Sequence, residues 1–475
     1  MATVSAPTLS PMSPAYRVVT LAIVVVTTMI SFESMAVTTA MPLAAAELGA
    51  VESYGLVFSA MMTGSLLGIV LAGPWADRAG PLPPLYAGQG LFLAGTLGCA
   101  LAPSFGLLLV GRVVTGVGSG LVIVAEFVAV GRAFPRELRP RVFTWLSAAW
   151  VLPSLVGAPL AGWLATATSW RWVFGAVVLP GLLAVALIAA RSNALGHAPD
   201  LDEEATPADR ASHLRLARLG TLVAASAGVV QLAVHAQPPL LSPLGVLGLL
   251  AILGVALTAP RLLPPGTVRS ARGLPSVMLS RAVFNASFMG AISFVPLMLS
   301  RERGVSLPVT GGVIALASLG WSAGSWLQGR SRRRGPVERS RLVVVGAVLL
   351  ATGLAVLAIL TPWPAAPVWL LGGALAVSGL GMGFGSTTLS VLVLDLAPVA
   401  EHGRASASLQ LADVLGTVVG VAAATALFAA LHRDGEVTAY LCMWAAFAAL
   451  AAVGVVTGAR CAPPSPRDHV PAAEG

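Results

Sequence analysis

The chain contains no lysine: all 28 of its basic residues are arginine. A glycine loop that cradles nucleotide phosphates ends in Lys, so a usual Walker site is excluded. His-Glu-x-x-His is missing as well, which removes the common zinc-hydrolase reading. Cys99, Cys442 and Cys461 are scattered, with no metal-ligand spacing and no disulfide framework. No metal, cofactor or enzymatic activity is therefore expected. Charge is scarce too, at 10% of 475 residues against about 25% in a soluble domain. With 56% hydrophobic residues and a mean hydropathy of +0.86, the chain has lipid as its main solvent.

Apolar runs near 20 residues recur along the whole chain, and a helix needs about 20 such residues to cross a bilayer. Backbone in hydrocarbon must satisfy its own hydrogen bonds, and strand-period alternation is absent, so the spans are helices. Fourteen are expected: 17–40, 54–72, 84–102, 107–131, 142–165, 171–190, 215–235, 240–259, 276–300, 308–328, 341–361, 366–394, 405–431 and 437–459. The stretch before Arg17 carries no basic residue, and the apolar run after it is too long for a signal-peptide core, so the first span is read as uncleaved.

A net charge of +8 does not point to nucleic acid, because the arginines sit in short loops between the runs. With the N-terminus inside, all but five fall on the cytoplasmic side. Arg171, Arg301, Arg303 and Arg433 fall outside, and Arg112 within a span. The six arginines from Arg330 to Arg341 are an orientation signal and require an even number of spans between 191 and 275. Both termini are thus expected in the cytoplasm. Trp170, Trp172 and Trp363, near span ends, read as interfacial anchors. The acidic run 200–204 reads as a solvated linker.

The first six and last six spans echo each other. Pro42-Leu43 matches Pro296-Leu297, and Arg78-Ala79-Gly80-Pro81 matches Arg333-Arg334-Gly335-Pro336. Glycines 116, 118 and 120 match 379, 381, 383 and 385, while Arg141 and Gly157 match Arg404 and Gly420. Such a repeat implies two pseudo-symmetric six-helix bundles with a site between them near mid-membrane. The expected domains are 1–190, a linker with two extra helices at 191–275, a second bundle at 276–460, and a tail at 461–475.

Several motifs resemble the major facilitator superfamily, in particular its fourteen-helix drug/proton antiporter branch. Glu33 to Pro42 (ESMAVTTAMP) resembles the branch's first-helix signature, with Glu in place of the usual Asp. Gly73 to Gly80 (GPWADRAG) resembles the signature between helices two and three. Pro81, Leu82, Pro83 and Pro84 follow where basic residues are usual. Arg112 to Gly120 (RVVTGVGSG) is similar to the fourth-helix signature, and Pro153 to Gly162 (PSLVGAPLAG) to the fifth-helix signature of exporters. Ser169-Trp170-Arg171-Trp172 also recurs in the family. The resemblance implies proton-coupled export of drugs or amphipathic small molecules by alternating access, in a bacterial inner membrane, by a monomer. The alternative is export of a lipid or an endogenous metabolite by the same fold.

Three acids lie inside apolar runs: Glu33, Glu126 and Asp413. A charge at bilayer depth costs roughly 2.5–3.5 kcal/mol on insertion scales, so each is a functional candidate. Glu33 is expected to carry the proton and Arg112, at similar depth, to tune it; a static ion pair is the alternative. Glu126 is a second proton site, a contact for a cationic substrate, or structural. Asp413 serves substrate or proton, with Gln410 one turn away and Trp150 its partner in the repeat. Asn285 is helix–helix glue or a ligand contact. Gly73, Asp77, Arg78 and Gly80 are expected to form a conformational latch in a loop, and Pro153, Gly157, Pro159 and Gly162 a hinge.

Overall fold

A computed structural model describes residues 10–14, 16–135, 138–190, 207–236, 242–329, 335–397, 402–432 and 436–463. They form fourteen α-helices. The first six are α1 (Arg17–Glu47), α2 (Leu56–Ala79), α3 (Leu82–Ala100), α4 (Phe105–Ala133), α5 (Arg139–Ala167) and α6 (Trp170–Ala190). Next come α7 (Pro207–Ala236) and α8 (Pro243–Leu262). The last six are α9 (Leu274–Arg301), α10 (Leu307–Gly329), α11 (Pro336–Leu360), α12 (Val368–Leu396), α13 (His402–Leu431) and α14 (Glu436–Ala459). A short 3-10 turn, Val51–Ser53, joins α1 to α2.

Ten helices among the described residues are long and apolar enough to cross a bilayer: α1, α2, α4, α6 and α9 to α14. The protein is an all-helical, multi-pass membrane protein. Helix α3 is not among the ten. In α5, α7 and α8 the described apolar stretches are Val156–Ala167, Ala217–Val230 and Val246–Val255. Helix α7 starts at Pro207, eight residues before the expected 215, because Asp209, Arg210 and Arg215 sit on a polar first stretch that can still be helical. The acidic run 200–204 and most of the tail lie outside the described residues. Proline does not break these spans. Pro42, Pro74, Pro153, Pro159, Pro180 and Pro296 all lie inside helices, as lipid-embedded helices permit when neighbours re-satisfy the freed backbone.

Helix α4 packs on α2 and α3, and α12 packs on α10 and α11. Glycines make both contacts, and they are the glycines of the repeat. In the first set Gly116 lies against Met61 O, Gly120 against Ser65 O and Gly118 against Phe92 N. In the second Gly379 lies against Ala317 O, Gly383 against Trp321 O and Gly381 against Leu350 N. A β-carbon at any of them would overlap the neighbouring backbone. Between helices in lipid, where apolar surface gains nothing from leaving water, such close approach is the main source of association. Elsewhere α1 packs on α5 and α6, and α9 on α13 and α14. Helix α5 crosses α10, α2 meets α13, and α7 touches both α2 and α13.

Replacing Gly118 or Gly381 by Val is expected to destabilise the protein by about 1–3 kcal/mol or more, the usual cost of overpacking, because backbone cannot yield as a side chain can. Unfolding midpoints in detergent would check this, with Gly90→Val, which meets open space, as the neutral control.

Candidate functional site: two ion pairs between helices

Glu33 lies on α1 and Arg112 on α4, and the fold closes them together. The Arg112 guanidinium donates from Nη1 to Glu33 Oε1, and both side chains are sealed, at 0% and 2% exposure. The remaining nitrogens reach α2: Nε donates to the Val57 carbonyl at 3.2 Å, and Nη2 lies 2.8 Å from Met61 Sδ. One carboxylate oxygen, Glu33 Oε2, is buried with no hydrogen-bond partner. Arg112 therefore ties α1, α2 and α4 at one point, and Glu33 retains an unused acceptor.

Glu126, also on α4, is buried beside α1. Thr27 Oγ1 sits 3.3 and 3.2 Å from its two carboxyl oxygens while also donating to the Ile23 carbonyl. This acid is met by a neutral hydroxyl, away from the Arg112 pair.

Asp413 has a partner that the sequence reading counted on the cytoplasmic side, although it lies inside the expected span 276–300. Arg281 lies within α9, seven residues from its start, and binds Asp413 with both prongs: Nε to Oδ1 at 2.9 Å and Nη2 to Oδ2 at 2.8 Å. Its third nitrogen donates to the Ser386 carbonyl of α12 at 2.9 Å. A cation paired across helices can stand inside an apolar run. This pair is open where the first is closed, at 12% exposure for Arg281 and 24% for Asp413. Asn285 is 3% exposed and donates to the Arg281 carbonyl one turn below, so it acts within its own helix. Gln410 is exposed, and the Trp150 side chain lies outside the described residues.

The expected latch is not a loop. Gly73, Asp77 and Arg78 belong to the last two turns of α2, which runs on to Ala79. The chain turns only at Gly80, whose φ of 81° suits glycine, and α3 begins two residues later at Leu82. Nothing before Gly80 forces an end, since Trp75 to Arg78 are all helix-compatible. Gly73 has open space around its α-carbon, and Arg78 is exposed. The proline- and glycine-rich stretch of α5 is one unbroken helix that crosses α10 at backbone distance. Gly162 lies against Leu307 and Pro308, and reciprocally Gly311 lies against Ala158 and Pro159. Gly157 sits under the Phe32 ring, and Pro153 is buried. Gly320-Trp321-Ser322-Ala323-Gly324 has the spacing of a hydrolase nucleophile elbow, yet it is the middle of α10, where Gly320 and Gly324 pack on α12.

At the α1–α2 turn, the first and last six helices touch again. The Tyr54 ring meets Phe294 edge-on at 5.4 Å, Gly55 abuts Thr425, and His432 Nε2 stands 3.6 Å from Glu52. Trp170, expected at a lipid interface, is fully buried here. Its indole N–H donates to Glu47 Oε2 at 2.9 Å, and Arg171 stacks on its ring while bonding Glu47 and the Ala102 carbonyl. Trp172 and Trp363, at 62% and 61% exposure, do present themselves to the surroundings.

The family model of the Major Facilitator Superfamily matches residues 23–421. The chain belongs to this superfamily. As a member of it, the protein is a transporter of small molecules and not an enzyme. It is 26% identical over 430 residues to a probable multidrug-efflux transporter of Mycobacterium tuberculosis, with 88% of each chain covered. It is 23% identical over 413 residues to a multidrug efflux pump of Staphylococcus aureus, covering 84% of this chain and 87% of that one. Among solved structures, a peptide transporter bound to alafosfalin superposes with a TM-score of 0.69 at 15% identity, covering 95% and 97% of the two chains. A D-xylose–proton symporter gives a TM-score of 0.63 at 18% identity, covering 91% and 96%. At such identities these two establish the superfamily fold alone.

Removing one partner of the sealed pair leaves an uncompensated charge in the interior. Arg112→Met is expected to lower stability by about 3–5 kcal/mol, and adding Glu33→Leu to recover much of that loss. Denaturation midpoints of the two single variants and the double variant would show it.

Glu302, just beyond α9, has its carboxyl held above the ordinary carboxylate range, by burial and then by the facing Glu436 carboxyl. An acid whose folded-state value is raised contributes stability while protonated and loses it as pH rises through that raised value. Unfolding midpoints are expected to fall as pH climbs above the usual Glu range, and Glu302→Gln to flatten that slope.

Proposed function

We propose that the protein is a proton-driven exporter of drugs or amphipathic small molecules, working by alternating access between two six-helix halves, α1–α6 and α9–α14. The halves correspond to residues 1–190 and 276–460, with α7 and α8 in the 191–275 linker. All fourteen helices cross the membrane in this reading. The protein works as a monomer in a bacterial cell membrane with both termini in the cytoplasm, so that the α1–α2 turn lies outside.

The observation that carries the reading is the sealed Glu33–Arg112 pair with its spare carboxylate oxygen. A proton taken up by Glu33 removes the charge that holds Arg112 to α1. The guanidinium keeps its bonds to Val57 and Met61, so the change is felt by α2. Helix α2 begins at Leu56, directly after Tyr54 and Gly55, where the two halves meet, and ends at the Gly73–Gly80 latch. One proton thus biases the helix that carries both closures. A bound species shifts such an equilibrium only by its differential affinity for the two states, which here is the free energy of breaking or keeping the pair. The α5–α10 crossing at Gly162 and Gly311 is the pivot on the outer side. Glu126, held by Thr27, serves as a second proton position in the same half.

The names of the efflux relatives favour drug-like cargo. Lipid export would need a lateral gap between the halves. Helix α7 packs on both α2 and α13, and Val223 and Ala224 bury against Leu66 and Leu415, which occupies one of the two seams.

Glu33→Gln is expected to abolish pH-gradient-driven export of ethidium from proteoliposomes while the protein still folds and elutes like the parent, at a lowered unfolding midpoint because Arg112 keeps only its bonds to α2. Undiminished gradient-driven transport by this variant would sink the proposal.

A further inference from the structure

Arg281 and Asp413 meet between α9 and α13 and keep part of their surface exposed, at 12% and 24%. Along α9, Ala282 and Ala286 carry the contact with α13, where Gly416 and Gly420 lie against their backbones. Phe284 points the other way, into Gly385 of α12 and Gly454 of α14. Between these two directions run Arg281, Asn285 and Phe288, on one stripe by helical spacing. That stripe faces away from α14, with Asn285 and Phe288 buried and Arg281 partly exposed. Phe288 lies about two turns, roughly 10 Å, above Arg281. Buried itself at 4% exposure, it meets the half-buried Trp321 ring of α10 edge-on at 5.6 Å, so Phe288 backs one partly exposed aromatic ring near the charges.

The ion pair itself is preorganised. Three guanidinium nitrogens are engaged, two by Asp413 and one by the Ser386 carbonyl, and the Ser386 bond keeps Arg281 tethered to α12 when a ligand opens the pair. Its exposure sets it apart from the Glu33–Arg112 pair, which is closed to any cargo in this conformation. An incoming cation alone would take Asp413 and strand Arg281. An anion alone would take Arg281 and strand Asp413. Either leaves an unpaired charge in a low-dielectric cleft, which is the costly outcome for a buried pair. A ligand carrying both charges a few ångströms apart inserts between the two residues and strands neither.

We propose that Arg281 and Asp413 form the charge-recognition site for a dipolar amphiphile. In that site Asp413 accepts the ammonium end, Arg281 grips an acidic oxo group with its fork, and the half-buried Trp321 ring, backed by Phe288, receives the apolar tail. The proposal rests on the exporter reading for its biological sense and names the cargo class that reading leaves open. Arg–oxoanion pairing is bidentate and about twice as strong as a neutral hydrogen bond, so the anionic end fixes the orientation.

The test is calorimetric binding to the purified full-length protein in maltoside micelles, without a pH gradient. Three probes share one tail: hexyltrimethylammonium, hexyl phosphate and hexylphosphocholine. Hexylphosphocholine is expected to bind with a Kd about tenfold or more below that of either singly charged probe, and Arg281→Gln and Asp413→Asn each to raise that Kd about tenfold. The swapped variant, Arg281→Asp with Asp413→Arg, is expected to restore the preference and serves as the test if a single variant fails to fold. Equal Kd values for the three probes, or a hexylphosphocholine Kd unmoved in folded Arg281→Gln and Asp413→Asn, would overturn the assignment. Loss of the preference in the swapped variant would also overturn it. Failure here leaves proton coupling at Glu33 untouched, because no gradient enters the measurement.

Discussion

A charge placed among hydrocarbon-facing helices must find a partner, and the architecture is organised by how its acids find theirs. Glu33 is matched by Arg112, Asp413 by Arg281, and Glu126 by the Thr27 hydroxyl. Each arrangement joins helices that are distant in sequence. The strongest tie is at Arg112, where one guanidinium is shared by α1 and α2 while belonging to α4. Breaking it by protonation is local in chemistry and wide in effect, because three helices lose or keep a common anchor.

Close helix approach is the second constraint. Lipid tails are as apolar as leucine, so helices in a bilayer associate through backbone proximity rather than through escape from water. The repeat of Gly116, Gly118 and Gly120 by Gly379, Gly381 and Gly383 meets that need twice with the same geometry. Gly162 and Gly311 meet it a third time, between α5 and α10. The first two contacts weld helices within a set. The third lets two sets cross with no side chains in the way, which suits a junction that must slide.

The two ion pairs differ in one respect that separates their roles. The Glu33–Arg112 pair is sealed from its surroundings and bound to three helices, as a coupling device must be if cargo is not to discharge it. The Arg281–Asp413 pair is partly open and rigidly aimed, with aromatic surface two turns away on the same face of α9. In the proposed mechanism, charge coupling and cargo recognition would fall in different halves of the chain.

Much of this was legible in the amino-acid order. Apolar run length dictated the helices, because spanning backbone has no other way to satisfy its hydrogen bonds. The spacing of Glu33 and Arg112 on their runs placed both at similar depth, and the glycine pattern marked the repeat. Helix ends were less legible. Gly73 to Arg78 read as a loop because it is charged, yet helical backbone tolerates charge at its ends and turns only where Gly80 permits a positive φ. Trp170 read as an interfacial anchor and is buried, since the Glu47 carboxylate that receives its indole N–H comes from another helix. The Arg281–Asp413 pairing was hidden altogether. The sequence by itself determined which segments enter the membrane and which charges they carry there. Only the tertiary structure decided which charge meets which and which pair stays open, because pairing across helices depends on rotation and crossing, which no linear spacing encodes.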